Sequence, residues 1–185
     1  MTGYRARLLV TAGTLLSSCA VTPPVVPSAA PVPPMPATFT VEGRFAARHG
    51  EKGVSGRFLW KSAPTNEEWI WTAPTGTPLA QLTVTPTASE LVTADGEHFA
   101  ADTPEALLAH FLPGEHPPWS LLRQALWGLV PQEMDSGAVS ITEERWHIAG
   151  WSWQVNRRDR FGRPLRLEVH RGETSLTLVI EHRSQ

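Results

Sequence analysis

Long stretches that alternate apolar and polar residues, one interruption with helical spacing, and a return to alternation predict a mainly β (α+β) fold. The expected architecture is an antiparallel sheet curled around two helices. Apolar or small residues recur at every second position as Phe39, Val41, Gly43, Phe45 and Ala47. They recur again as Val54, Gly56, Phe58 and Trp60 beyond a turn at Gly50 to Gly53. Period two marks half-buried strands, here a first hairpin. The meander continues through 68–72, 80–84 and 90–93, and Asp95-Gly96 turns it into 97–101.

The period changes at Asp102-Thr103-Pro104-Glu105. This is a capping-box arrangement in which the Asp carboxylate accepts backbone N–H groups, Glu105 reaches back, and proline is tolerated in the first turn. Ala106, Leu107, Ala109, His110 and Phe111 follow at helical spacing until Pro113-Gly114. A second helix is expected after Pro117-Pro118, over 120–127, with Gly128 as its stop and Leu122, Leu126 and Leu129 on one face. Strands resume at 138–141, 147–148, 152–156, 165–170 and 175–181, the last with Leu176, Leu178 and Ile180 inward and Thr177 and Val179 outward. The helices then have one large apolar surface to cover, the concave face of the sheet.

Ahead of this domain the chain has another character. Arg5 and Arg7 precede an apolar stretch from Leu8 to Leu16, far shorter than the roughly 20 residues of a membrane-spanning helix. Leu16-Ser17-Ser18-Cys19 follows, with the only cysteine of the chain in last place. That pattern reads as a lipoprotein signal peptide over 1–18, with Cys19 as the lipidated first residue of the mature protein. Several acyl chains on one residue make a durable anchor where one alone is marginal. No Asp follows Cys19 to retain the protein in the inner membrane, so the outer membrane is the expected destination. Residues 19–37, rich in Pro, Ala and Val, form a semi-rigid tether, and 38–185 form one domain of ordinary size.

Composition narrows the function. A net charge of -2 and a pI near 6.4 lack the basic footprint of nucleic-acid binders. A single cysteine leaves no intrachain disulfide, so burial must hold the domain together. Eight tryptophans are many for this size and imply an interior too wide for aliphatic side chains alone. The seven histidines show no metal-ligand spacing. Gly53-Val54-Ser55-Gly56 is not a nucleophile elbow, and the adjacent pairs Glu67-Glu68 and Glu143-Glu144 point opposite ways on a strand. Nothing in these patterns argues for an enzyme, a metal or a cofactor.

With the order of elements in place, the chain resembles the LolB family of outer-membrane lipoprotein receptors. The matching stretches include Gly43-Arg44-Phe45, Arg57-Phe58-Leu59-Trp60, Ala73-Pro74-Thr75-Gly76, Ala94-Asp95-Gly96, Glu105-Ala106-Leu107-Leu108, Leu122-Arg123-Gln124 with Gly128-Leu129, Trp153-Gln154-Val155 and Pro164-Leu165-Arg166-Leu167. The resemblance implies an open antiparallel half-barrel with helices across its mouth. It also implies a monomer that takes acylated lipoproteins from a soluble, LolA-like periplasmic carrier and inserts them into the inner leaflet of the outer membrane. An apolar, partly filled concave face suits acyl chains, and its expected lining is Phe45, Phe58, Trp60, Leu82, Leu107, Phe111, Leu122, Leu126 and Leu167.

Two departures from the family pattern bear on delivery. A loop that commonly carries an exposed Leu within Pro-Leu-Gly reads Pro74-Thr75-Gly76 here, with Leu79 or Trp71 nearby as substitutes. Threonine has little of leucine's transfer free energy, roughly 1.5–3 kcal/mol on full burial. Ala125 stands where the family often has Trp, with Trp127 close by. Arg157, Arg158, Arg160 and Arg163 crowd a late hairpin, either as a solvated face or as an edge that docks an acidic carrier or anionic headgroups. The competing reading of the whole chain is a structural lipoprotein, a scaffold subunit of an envelope assembly with a filled barrel.

Overall fold

The computed structural model describes residues 34–129, the backbone of 139–142, and 145–185. The leader, Cys19 and the tether as far as residue 33 lie outside the described residues, as does Ala138 at the expected start of a strand. Six strands come first: β1 (Phe39–His49), β2 (Lys52–Ala63), β3 (Asn66–Thr72), β4 (Pro78–Val84), β5 (Ser89–Thr93) and β6 (His98–Ala101). Two short helices follow, α1 (Pro104–Leu108) and α2 (Trp119–Leu126). Five more strands complete the chain: β7 (Val139–Thr142), β8 (Arg145–Ile148), β9 (Trp151–Arg158), β10 (Pro164–Arg171) and β11 (Thr174–Ser184).

All the strands belong to one antiparallel sheet in the order β6-β5-β4-β3-β2-β1-β11-β10-β9-β8-β7. The pairing of β1 with β11 joins the two halves, and β6 and β7 are left as edges of an open half-barrel. Both edges are only four residues long, which limits the unpaired backbone they present to other chains. The expected alternation holds in the last strand: Leu176, Leu178 and Ile180 are buried and Thr177 and Val179 are not.

Because successive strands are antiparallel, their turns fall at two ends. One end carries the turns β1–β2, β3–β4, β5–β6, β8–β9 and β10–β11. At the other lie Phe39, the turns β2–β3, β4–β5 and β9–β10, and the C-terminus of β11. Met35 already packs against the core, and the chain enters β1 at that second end through Phe39.

The helices depart from expectation in one instructive way. α1 is a single turn and a half with Thr103 as N-cap, and neither Asp102 nor Glu105 caps it. Glu105 Oε1 instead accepts the backbone N–H of Trp119 at 2.5 Å. A helix this short places Glu105 beside the start of α2, whose first N–H groups need acceptors and whose N-cap, Pro118, has no side chain to offer. The far end of α2 follows the sequence closely. Gly128, with φ 75°, donates to Ala125 O and Leu129 N–H donates to Gln124 O, a Schellman motif.

Curvature comes from close backbone approach at two glycines. Phe58 lies opposite Gly43 and Phe45 opposite Gly56 across the β1–β2 pair. A Cβ on Gly43 would sit 2.0 Å from Val179 O, and one on Gly56 2.1 Å from Thr72 O. Register shifts lie beside both contacts, between Glu42 and Gly43 and between Trp71 and Thr72. Bulges paired with glycine bend a sheet, and the bend gives the two Phe rings room over the glycines. Gly43→Ala and Gly56→Ala should each lower stability by about 1–3 kcal/mol, because backbone must move to admit the methyl. Gly53→Ala, whose Cβ would meet nothing nearer than 3.4 Å, should be close to neutral. Urea midpoints of the three variants followed by far-UV circular dichroism check the ranking.

Candidate functional site

The concave face is aromatic at its centre because the β2–β3 register sets Trp60 opposite Trp69 and Phe58 opposite Trp71. The Trp60 and Trp69 rings stack at 4.7 Å, and Trp71 continues the row 4.7 Å from Trp69. From above, α2 lowers Trp119 onto this row, 4.5 Å from Trp60 and 5.2 Å from Trp69. Phe111, from the segment between the helices, lies 4.9 Å from Trp71 and 6.3 Å from Phe45. A second aromatic group, Trp146 stacked with Trp153 at 6.2 Å, lies under the β8–β9 half of the sheet. All eight tryptophans are buried, none more than 8% exposed.

The structure brings every residue of the expected lining into this one core. Phe45, Phe58, Trp60, Leu82 and Leu167 come from the sheet, Leu107 from α1, and Leu122 and Leu126 from α2, all fully buried, with Phe111 half-buried at the rim. Ala125 is buried in the same layer. Trp127 sits just past α2 with its ring 5.4 Å from that of Phe39.

Two properties separate this core from an ordinary one. The first is a set of buried donors: among the described residues, the indole N–H groups of Trp69, Trp71, Trp119, Trp127 and Trp153 find no acceptor. Trp60 is different, since it donates to Glu67 Oε2 at 3.0 Å. An unpaired buried donor costs about 1–3 kcal/mol. The second property is how the helices are held. Eight residues of α2 could not stay helical alone. Leu121, Leu122, Ala125 and Leu126 bury its apolar face, and polar contacts fasten its rim. Arg123 pairs with Glu67 at 2.9 Å and donates to Ser62 Oγ at 3.2 Å. Arg183, from β11, donates to Leu126 O at 2.9 Å and also to Pro164 O.

Charge around the C-terminal end of α2 follows from burial. Arg183 is almost fully enclosed, and burial aided by nearby Arg163 lowers its pKa to about 10, still charged at neutral pH. Burial alone would favour protonation of Asp159, but N–H groups of Arg163 and Phe161 and the Arg163 guanidinium hold its carboxyl below the usual range. His116, between the helices, is pushed down to about 4 by burial, against the opposing charges of Glu105 and Glu115.

Sequence reading missed Glu67, Arg123 and Arg183, and the signal for the first was present. Glu67 is in phase with the inward-facing Trp69 and Trp71, so alternation alone makes it a carboxylate aimed at the core. The arginine run, in contrast, does not form one surface. Arg157 is paired with Arg166 on the convex face, where both line a groove with Arg44. Arg158 donates to Gly162 O at 2.6 Å, and Arg163 turns inward to Asp159 at 2.8 Å. Arg160 is exposed over the Phe161 ring. In the β3–β4 turn Pro74, Thr75 and Gly76 are exposed, and the Thr75 and Thr77 hydroxyls lie 3.2 Å apart. Leu79 is half-buried, and Trp71, 0% exposed, cannot serve as a surface substitute.

Comparison with known proteins gives a consistent picture. The family model described as "Outer membrane lipoprotein LolB" matches residues 37–182. The outer-membrane lipoprotein LolB of Azoarcus sp. (strain BH72) is 30% identical over 96% of this chain and 94% of its own. That of Bordetella petrii is 30% identical over 97% and 92%, and that of Alkalilimnicola ehrlichii 33% identical over 77% and 74%. Among solved structures, a LolA superfamily protein from Nitrosomonas europaea is similar over 80% of this chain and 85% of its own, at 8% identity and a TM-score of 0.47.

Replacing Arg123 by Met should cost about 1–3 kcal/mol, because it leaves the Glu67 carboxylate buried with one donor. Amide hydrogen exchange should quicken in α2 more than in β1, β2 or β11. The pH response should follow His116. An unfolded histidine titrates near 6.5 and this one near 4, so the unfolded chain holds more protons between those values. The contribution is whole above about pH 6.5 and is lost as pH falls toward 4, on the order of 3 kcal/mol at the limit. His116→Gln should flatten the decline in thermal midpoint between pH 7 and pH 5.

Proposed function

The chain belongs to the LolB family, and on that premise we propose that it is an outer-membrane-anchored receptor for acylated lipoproteins. In this reading the anchor is the lipidated Cys19, residues 1–18 are removed, and the domain from Thr38 onward faces the periplasm. A soluble LolA-like carrier brings the cargo, the concave face takes its acyl chains, and the cargo then passes into the inner leaflet. Binding and release need no bond to be made or broken, and the family is not an enzyme class.

The observation that carries the reading is the aromatic core, with indole donors that find no acceptor among the described residues, under a short helical cover with a polar rim. Acyl chains contribute apolar surface, and the ester and amide carbonyls at their head are acceptors of the kind Trp69, Trp71 and Trp119 lack. For the chains to enter, α1, α2 and the segment between them must lift from Phe45, Phe58, Trp60, Leu82 and Leu167. The polar rim makes such a movement practicable, since Arg123, Glu67 and Arg183 can be rehydrated when exposed, whereas an all-apolar seam could not.

The filled interior also favours a second reading, a structural lipoprotein whose barrel never opens. Its weak point is the same set of donors, since a permanently closed core gains nothing by leaving several indole N–H groups unpaired. Delivery through the β3–β4 turn should be weak in this chain, because its tip presents the hydroxyl of Thr75 and no large apolar side chain.

A form lacking Met1 to Ala20, mixed one to one with a carrier loaded with radiolabelled lipoprotein, should become loaded. A folded protein that takes no cargo would favour the scaffold. In a vesicle-insertion assay with the anchored protein, Thr75→Leu should raise delivery severalfold without changing acceptance from the carrier.

A further inference from the structure

The convex face of the sheet carries a transverse row of arginines. Cross-strand register sets Arg57 of β2 opposite Arg44 of β1, and Arg44 opposite Val179 of β11. It continues with Arg166 of β10 opposite Val179 and Arg157 of β9 opposite Arg166. All four arginines are exposed. The row crosses four strand spacings, about 19 Å. Arg44, Arg157 and Arg166 open on one groove of about 310 Å³, shared with Leu165, Thr177 and Val179.

A sheet has reason to avoid this pattern. Like charges directly opposite on neighbouring strands are destabilising, and the row holds two such pairs. Acids neutralise it only in part. Glu181 is shared by Arg44 and Arg57 at 2.8 Å each, and Glu168 takes Arg166 at 2.6 Å. Arg157 meets no acid or acceptor among the described residues. Four cations facing two carboxylates leave an excess of positive charge on a face that neither α1 nor α2 covers.

The extent and chemistry of the row select its occupant. At about 19 Å it is wider than one phosphate ion needs and suits an array of phosphates. A protein partner would need apolar anchors, yet Leu165 and Val179 are half-buried. Phe45, the one aromatic residue of the groove, turns its ring toward Phe111 in the core. Guanidinium groups match phosphate oxygens two at a time, and an anionic leaflet attracts them. The row begins with Arg57 opposite Thr72, directly ahead of the turn that includes Thr75, so a leaflet that meets the row also meets that turn.

We propose that Arg44, Arg57, Arg157 and Arg166 bind headgroup phosphates of the anionic leaflet, so that the convex face rests on the membrane and the helical cover faces away from it. The inference rests on outer-membrane location and on the anchor at Cys19, and not on transfer of cargo.

The test uses the full lipid-anchored protein on phosphatidylethanolamine vesicles containing phosphatidylglycerol, recovered by flotation so that only attached protein is read. An environment-sensitive fluorophore is placed at Ser55→Cys on the convex face and, in a separate sample, at Ser120→Cys on the outer side of α2; both positions are exposed. Cys19, the only native cysteine, carries the anchor and leaves no other thiol to react. Spin-labelled phospholipids should quench the label at 55 severalfold more than that at 120. Arg157→Ser, or replacing phosphatidylglycerol by phosphatidylcholine, should reduce the quenching at 55. The thermal midpoint of Arg157→Ser should be unchanged or slightly raised, because one opposed pair is relieved, so lost quenching reports lost binding and not lost folding. Equal quenching at the two positions, or quenching at 55 indifferent to both changes, would overturn the proposal. So would a label at 55 shielded only after carrier is added, or quenching abolished by inorganic phosphate but not by chloride of the same ionic strength. No cargo is present, so a chain that failed to accept lipoprotein would still report how it lies on the membrane.

Discussion

An antiparallel sheet that does not close must keep water off one apolar face, and here that face carries Trp60, Trp69, Trp71, Trp146, Trp151 and Trp153. Strong curvature, through the glycine contacts at Gly43 and Gly56, narrows the opening enough for two short helices to cover it. The helices in turn exist only because they cover it, since neither is long enough to persist in water. Sheet curvature, aromatic filling and helical cover are thus one problem with one solution.

That solution is mixed in polarity, and the mixture has consequences. Apolar burial beneath α2 is large and undirected, whereas Arg123 with Glu67, Glu105 with Trp119 N–H, and Arg183 with Leu126 O fix the position of its middle, start and end. Such contacts add little net stability but strongly disfavour other placements. The same core keeps several indole donors that find no acceptor among the described residues.

The two ends of the barrel are unlike. The turn that includes Thr75 is polar and bonded to itself, while the β9–β10 turn joins an exposed ring to cations beside the point where the chain enters the domain.

Period-two alternation was enough to locate the strands, because a side chain's face in a strand depends only on its parity. Gly128 marked the end of α2 for a similarly local reason, the left-handed conformation its stop requires. The family likeness was legible in the same way, as residues at short fixed spacing. What the chain could not show by itself is which distant groups meet. Glu105 looked like a cap for its own helix and caps the next one, 14 residues away in sequence. Arg183 joins Leu126 across 57 residues, and four arginines close together in sequence separate into a convex face, a turn and a half-buried pair. Those outcomes depend on how the sheet curls and where its ends fall, so they were decided only when the strands were paired. Local periodicity is written into neighbouring residues, whereas the polar contacts of a cover depend on the shape of the surface it lands on.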